Sequence, residues 1–153
     1  MKRFLFFLLV AIFLSGTLTA FWLFPKKESA SPSPDVSGEI YYSNTSGDEI
    51  ILEDPFPGKI ITSPMTITGQ ARGFWFFEAS APVILTDWNG RIIAEGVIQA
   101  KGDWMTNDFV PFEGTLTFET PSYGDIGSLI LRNDNPSGLP ANDKAIEISI
   151  RYR

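Results

Sequence analysis

GFWFFEASAPVILTDWNG, residues Gly73–Gly90, joins four consecutive aromatics, an apolar run and an Asn-Gly turn in one segment. Asn89-Gly90 is the strongest turn signal in the chain, because both central residues of a type I′ turn need positive φ, which Asn and Gly tolerate. The segment is therefore expected to be the central hairpin of a β structure, with Phe74–Ala79 and Pro82–Trp88 extended and Pro82 marking a bend or edge between them. A two-residue loop would pair Trp88 with Arg91, Thr86 with Ile93 and Leu85 with Ala94. That register leaves neither face purely apolar, which points to a bulge or to a strand covered on both sides.

Outward from this hairpin, short strands alternate with turn residues. Ile50–Glu53 and Lys59–Thr62 flank the turn DPFPG (Asp54–Gly58). Over Met65–Ala71, Met65, Ile67 and Gly69 alternate with Thr66, Thr68 and Gln70, so one face is buried and the other wet. WMTNDFVPF (Trp104–Phe112) forms a second aromatic block, and Thr115–Glu119 turns Leu116 and Phe118 inward. After Ser128–Arg132 comes a long polar loop, NDNPSGLPAND (Asn133–Asp143). The closing strand has the cleanest alternation in the chain, with Ile146, Ile148, Ile150 and Tyr152 on one face. No amphipathic helix of ten or more residues interrupts the series, so residues 49–153 are expected to form an all-β, antiparallel sandwich.

The N-terminal third differs. Lys2 and Arg3 precede FLFFLLVAIFLSGTLTAFWLF, twenty-one uncharged residues from Phe4 to Phe24, closed by Lys26 and Lys27. As a helix this run reaches roughly 30 Å, a bilayer's hydrocarbon thickness. Cleavage after Ala20 would put Leu18 where a signal peptidase wants a small residue, so residues 1–27 are expected to be an uncleaved transmembrane anchor with the remainder extracytoplasmic. Trp22 fits an interfacial position, and Gly16 with Ala20 makes a small-xxx-small spacing that chance also produces. Residues 28–48, rich in Ser and Pro, read as a flexible linker broken by Tyr41 and Tyr42. Asn44-Thr45-Ser46 is a glycosylation sequon, better read as polar linker.

The 153 residues hold one ordinary domain plus an accessory segment. Cys and His are both absent, which removes disulfides, thiolate nucleophiles, imidazole bases and the usual zinc ligands. From Glu39 onward, sixteen acidic residues face eight basic ones, a net charge of minus eight that argues against nucleic acid as a partner.

Together, SPMTITGQARGFWFFEASAPVILTDWNG, KGDWMTNDFVPFEGTLTF and LRNDNPSGLPAND resemble the immunoglobulin-like Gmad2 domain of bacterial spore germination and surface proteins. The FFEA run (Phe76–Ala79), GDWM (Gly102–Met105), DFVPF (Asp108–Phe112) and DNPSGLP (Asp134–Pro140) carry it most specifically. The resemblance covers Ile50–Arg153 and implies an immunoglobulin-like fold, an extracytoplasmic setting, and an accessory or binding role without catalytic residues. An anchor and linker in place of a companion domain are expected to set the chain apart from the germination proteins.

Several residues invite chemistry. Glu78 lies by parity on one strand face with Arg72, Phe74 and Phe76, with Arg72 its expected ion partner and a general acid the sharper alternative. Asp103 and Asp108 are the nearest approach to a glycosidase pair, against the ordinary role of Asp in turns. Asp134, Asn135 and Asp143, with Asp125, offer oxygens for Ca²⁺, though the spacing is not an EF-hand; an Asx-turn loop is the default, and neither metal nor cofactor is expected. Trp75, Trp88, Trp104 and Phe109 are the candidate binding aromatics, with Asp134 and Asn135 of the long loop. The expected function is thus a non-catalytic, membrane-anchored surface module that binds an envelope protein or a cell-wall component. A carboxylate-based wall hydrolase and a structural spacer are the alternatives.

Overall fold

The computed structural model describes residues 39–153. The expected anchor (residues 1–27) and residues 28–38 of the expected linker lie outside the described residues. Among the described residues, no helix is long and apolar enough to cross a membrane.

Nine strands follow in order: β1 (Ile40–Ser43), β2 (Ile50–Asp54), β3 (Ile60–Ile61), β4 (Met65–Arg72), β5 (Ser80–Asp87), β6 (Ile92–Ala100), β7 (Phe109–Leu116), β8 (Ile126–Arg132) and β9 (Ala145–Tyr152). They form one ladder, β1-β9-β8-β5-β6-β7-β4-β2, antiparallel throughout, with β3 added parallel to β9. Alternation decides which face is buried. Val83 and Leu85 of β5, Leu129 and Leu131 of β8, and Ile146, Ile148 and Ile150 of β9 join Ile67 and Ala71 of β4 and Val110, Phe112 and Leu116 of β7 in a single core.

One core shared by strands far apart in the ladder requires the sheet to fold back on itself, and β6 is where it does so. Along most of its length β6 pairs with β5, while Ile98–Ala100 also pair with Gly114, Glu113 and Phe112 of β7. The two halves meet directly where Phe118, just past β7, packs edge-on against Tyr152 of β9 at 5.8 Å between ring centres. The resulting groups, β2-β4-β7 and β6-β5-β8-β9 with β1 and β3 both paired to β9, are consistent with the two layers of an immunoglobulin-like sandwich.

Three expectations change. Tyr41 and Tyr42 do not interrupt a linker: Ile40–Ser43 pair antiparallel with Ala145–Ile148, so ordered structure starts before residue 49. The regular β9 offers a free edge, and pairing it satisfies backbone groups that would otherwise face water. Phe74–Ala79 is not a strand, because Gly73–Trp75 forms a 3-10 turn and Glu78-Ala79 a tight hairpin turn. Finally, the Asn-Gly loop has three residues, not two. Asp87 pairs with Arg91, Gly90 takes φ 77°, and Ile93 is bulged out so that Thr86 meets Ile92 while Leu85 keeps Ala94.

Candidate functional site

Three connections converge at one end of the domain: β4–β5 (residues 73–79), β6–β7 (101–108) and β8–β9 (133–144). Antiparallel pairing puts them there, since Arg72 faces Phe109 and Arg132 faces Ala145 at the same strand ends. Hydrogen bonds then tie the loops to one another. Gly73 N–H donates to Asp108 O at 3.2 Å, and Asp134 N–H donates to Trp75 O at 2.9 Å. The Arg72 guanidinium donates to Asp48 O and Asn107 O and lies 4.0 Å from the Phe109 ring centre. A side chain at Gly73 would overlap the carbonyl oxygens of Trp104 and Thr106, so glycine allows the first two loops to touch.

A fourth loop, between β1 and β2, closes the cluster. Lys144 Nζ forms a half-buried ion pair with Glu49 at 2.8 Å, donates to Asn44 O, and sits 5.7 Å from the Phe74 ring centre. Asn44 Nδ2 donates to Asp143 O at 3.0 Å, so the sequon's amide is used in packing the loop. Beside exposed Glu78, Lys101, Asp103 and Asp108, these bonded loops present large apolar side chains outward. Phe74, Phe77, Met105 and Leu139 are all exposed, Met105 by 78% and Leu139 by 60%.

The family model described as the immunoglobulin-like domain of bacterial spore germination, Gmad2, matches residues 49–138. The chain belongs to this family. No curated protein and no solved structure matches the chain. The match begins at the end of the loop before β2 and stops inside the β8–β9 loop, so β1 and β9 of this Gmad2 domain lie outside it.

The structure separates the six candidate binding residues. Trp75 is fully buried at the centre of the core, and its Nε1 is the single buried side-chain polar atom without a partner among the described residues. Trp104 packs half-buried against that core, and Phe109 lies beneath Arg72. Asp134 and Asn135 are in the converging loops. Asn135 Nδ2 donates to Leu139 O and to Asp143 Oδ1 at 2.8 Å, which makes this loop a self-bonded Asx structure. Trp88 is at the opposite end of the domain, 56% exposed, so the tryptophans form no common patch.

The remaining candidates are reassigned too. Glu78 occupies an exposed turn with φ 50°, and Ala79 follows at φ 62°. The parity argument linking Glu78 to Arg72 fails because the intervening 3-10 turn breaks the strand. Asp103 accepts the Met105 N–H at 3.0 Å, and Asp108 bonds Thr106, so each carboxylate caps its own loop. Asp125 pairs with Arg151 at the far end, which keeps it below its ordinary pKa and away from Asp134 and Asp143. Among the described residues no three acidic side chains gather closely enough to hold a metal ion.

Sequence reasoning missed Asp87. Its buried carboxylate accepts N–H bonds from Asn89 (2.8 Å) and Arg91 (2.9 Å) and the Tyr123 hydroxyl (2.9 Å). Burial pushes its pKa up, but these bonds and the Arg91 charge outweigh burial and hold it below the ordinary value. An Asp two residues before Asn-Gly was the available signal. It also missed Phe77 and Met105, since nothing in the Phe76–Ala79 run announces a turn without Gly or Asn.

Proposed function

We propose that this Gmad2 domain is a non-catalytic interaction module, held at the outer face of a bacterial membrane by the apolar run Phe4–Phe24, which binds another envelope protein through its converging loops. The observation that carries this reading is the pairing of mutually hydrogen-bonded loops with exposed Phe74, Phe77, Met105 and Leu139. Loops fixed before binding lose little entropy on association, and exposed apolar side chains on a fixed frame serve as anchors. A protein partner fits better than a glycan, because no exposed Trp or Tyr platform faces outward among these three connections. The family is not a known enzyme family, and Asp103 and Asp108 are engaged in capping their own loop, which weighs against the hydrolase alternative. The acidic balance keeps nucleic acid an unfavoured partner.

The test is retention of the full chain, in mild detergent, by envelope proteins and separately by isolated peptidoglycan. The Phe77→Ser, Met105→Ser, Leu139→Ser triple variant is expected to lose protein retention by about a hundred-fold while keeping its β-sheet circular dichroism. Unchanged retention by the triple variant would show that these loops are not the binding face. Retention of the parent chain by neither fraction would leave the spacer reading.

A further inference from the structure

At the end opposite the loops, the Asp87–Arg91 turn lifts Trp88 into solvent, and Trp88 lies beside Gly124. The neighbouring Tyr123 is fixed through its hydroxyl to Asp87, yet its ring is 54% exposed. Ile92, 52% exposed, shares a groove with it, between Arg91–Ile93 and Glu119–Tyr123. Phe56 and Ile60 are exposed near the same end, since Gly58 and Lys59 bond to the last residues of β9.

Charge distinguishes this end from the rest. Lys59, Arg91, Arg151 and Arg153 here balance Asp54, Asp87, Glu119 and Asp125, so the whole net charge of minus eight falls on the remainder of residues 39–153. This end, formally neutral, is thus repelled less by an anionic surface than the acidic remainder of residues 39–153.

In the β1–β9 pairing, Ile40 faces Ile148 and Ser43 faces Ala145, so β1 runs away from the Tyr152 side and its first residue is the one nearest that end. Fifteen residues, Pro25–Glu39, separate β1 from the apolar run, a contour of at most about 50 Å.

We propose that this end docks on the bilayer surface, with Trp88, Ile92 and Tyr123 seated at the headgroup level and Arg91 beside them. The docking rests on the reading of Phe4–Phe24 as a membrane anchor. Trp and Tyr suit the interface because each has an apolar body with a polar tip, and an Arg at the rim finds lipid phosphates. The consequence is orientation: docked this way, the domain aims the loops of residues 73–79, 101–108 and 133–144 away from the membrane.

Because the chain has no cysteine, a single introduced one can be labelled uniquely. The full chain is reconstituted in vesicles of phosphatidylglycerol and phosphatidylethanolamine carrying a nitroxide-labelled lipid, with a fluorophore at Asn89→Cys or, in the other loops, at Asn107→Cys. Quenching is expected at Asn89→Cys and not at Asn107→Cys. Adding Trp88→Ser and Ile92→Ser is expected to lower the docked fraction about ten-fold, since two exposed apolar tips are removed. Equal quenching at both labels, in a chain that floats with the vesicles, overturns docking and leaves the anchor standing. A chain that does not float with them overturns both. A label at Asn89→Cys that responds to isolated peptidoglycan but not to lipid makes this end a wall-binding face and also overturns the proposal.

Discussion

Before β5, Glu78 and Ala79 turn the chain with φ of 50° and 62°, although neither is a glycine and, among the described residues, no side chain hydrogen-bonds across the turn beyond a 3.3 Å bond from Ser80 Oγ to Phe77 O. After β5, the chain turns again through Trp88, Asn89 and Gly90. There the positive φ falls on the glycine, and the Asp87 carboxylate collects two backbone N–H groups and a tyrosine hydroxyl. The second turn is stable by its own chemistry. Its counterpart is held in place from outside, by Trp75 and Phe76 buried immediately before it and by the loops bonded to it. Backbone strain of this kind persists only where the surroundings over-determine it, and here it lies among the proposed recognition loops.

Removing the outside support should have the largest effect. Trp75→Ala empties the centre of the core and is expected to cost about 3–5 kcal/mol, measured as a drop in the urea midpoint. If the strained turn depends on this anchor, amide exchange at Phe77 and Ser80 should accelerate far more than at Asn89 and Arg91. Equal acceleration at both turns would erase the contrast between them.

The turn after β5 should fail by a different route, through acid. Asp87 is held below its ordinary value of 3.8, so the unfolded chain takes up a proton there more readily than the folded one. The stability it contributes is present above that value and is lost as pH falls through the lower folded-state value. Asp87→Asn is expected to lower the melting temperature at pH 7 by less than Trp75→Ala does, and to flatten the loss of stability below pH 4. Tyr123, raised above 10.0 by its bond to Asp87, has the opposite sign: its contribution is complete below pH 10 and falls away as pH rises above it. A variant with an unchanged acid limb would mean that other carboxylates set it.

The two turns were unequally legible in the sequence. Asn89-Gly90 announced itself and the mixed faces of its register pointed to the bulge found at Ile93; only the loop length and the partner of Thr86 were misjudged, because Asp87 competes for the turn's N–H groups and shifts the register by one residue. Glu78-Ala79 gave no signal, because tertiary burial of the preceding aromatics imposes that turn and local propensity does not. The same limit explains the candidate aromatics. The sequence offered Trp75, Trp88 and Trp104 as candidates without deciding which face out; a 3-10 turn directs Trp75 inward and a three-residue loop directs Trp88 out. The alternating strands β4 and β9 needed no such context, and they were read correctly.

Relieving the strain gives a smaller effect of opposite sign. Ala79→Gly removes the Cβ conflict at φ 62° and is expected to stabilise the fold by about 1 kcal/mol, offset in part by the freedom glycine adds to the unfolded chain. Because Phe77 sits directly before this turn, the same substitution should weaken retention of the protein partner even as the urea midpoint rises. A gain in stability with unaltered binding would mean that the strain is a by-product of packing and not part of the recognition surface.

The smallest effect is expected at Trp88. An exposed side chain at the tip of a turn whose hydrogen bonds all come from the backbone and Asp87 contributes little to folding, so Trp88→Ser should leave stability within about 0.5 kcal/mol of the parent. A large aromatic kept in water without a folding role calls for another surface to meet it, which is why its neutrality in urea matters as much as its effect on vesicle docking. Should Trp88→Ser instead unfold the domain as readily as Trp75→Ala, the indole would be packing against Gly124 as part of the fold, and the two turns would differ only in the chemistry that holds them.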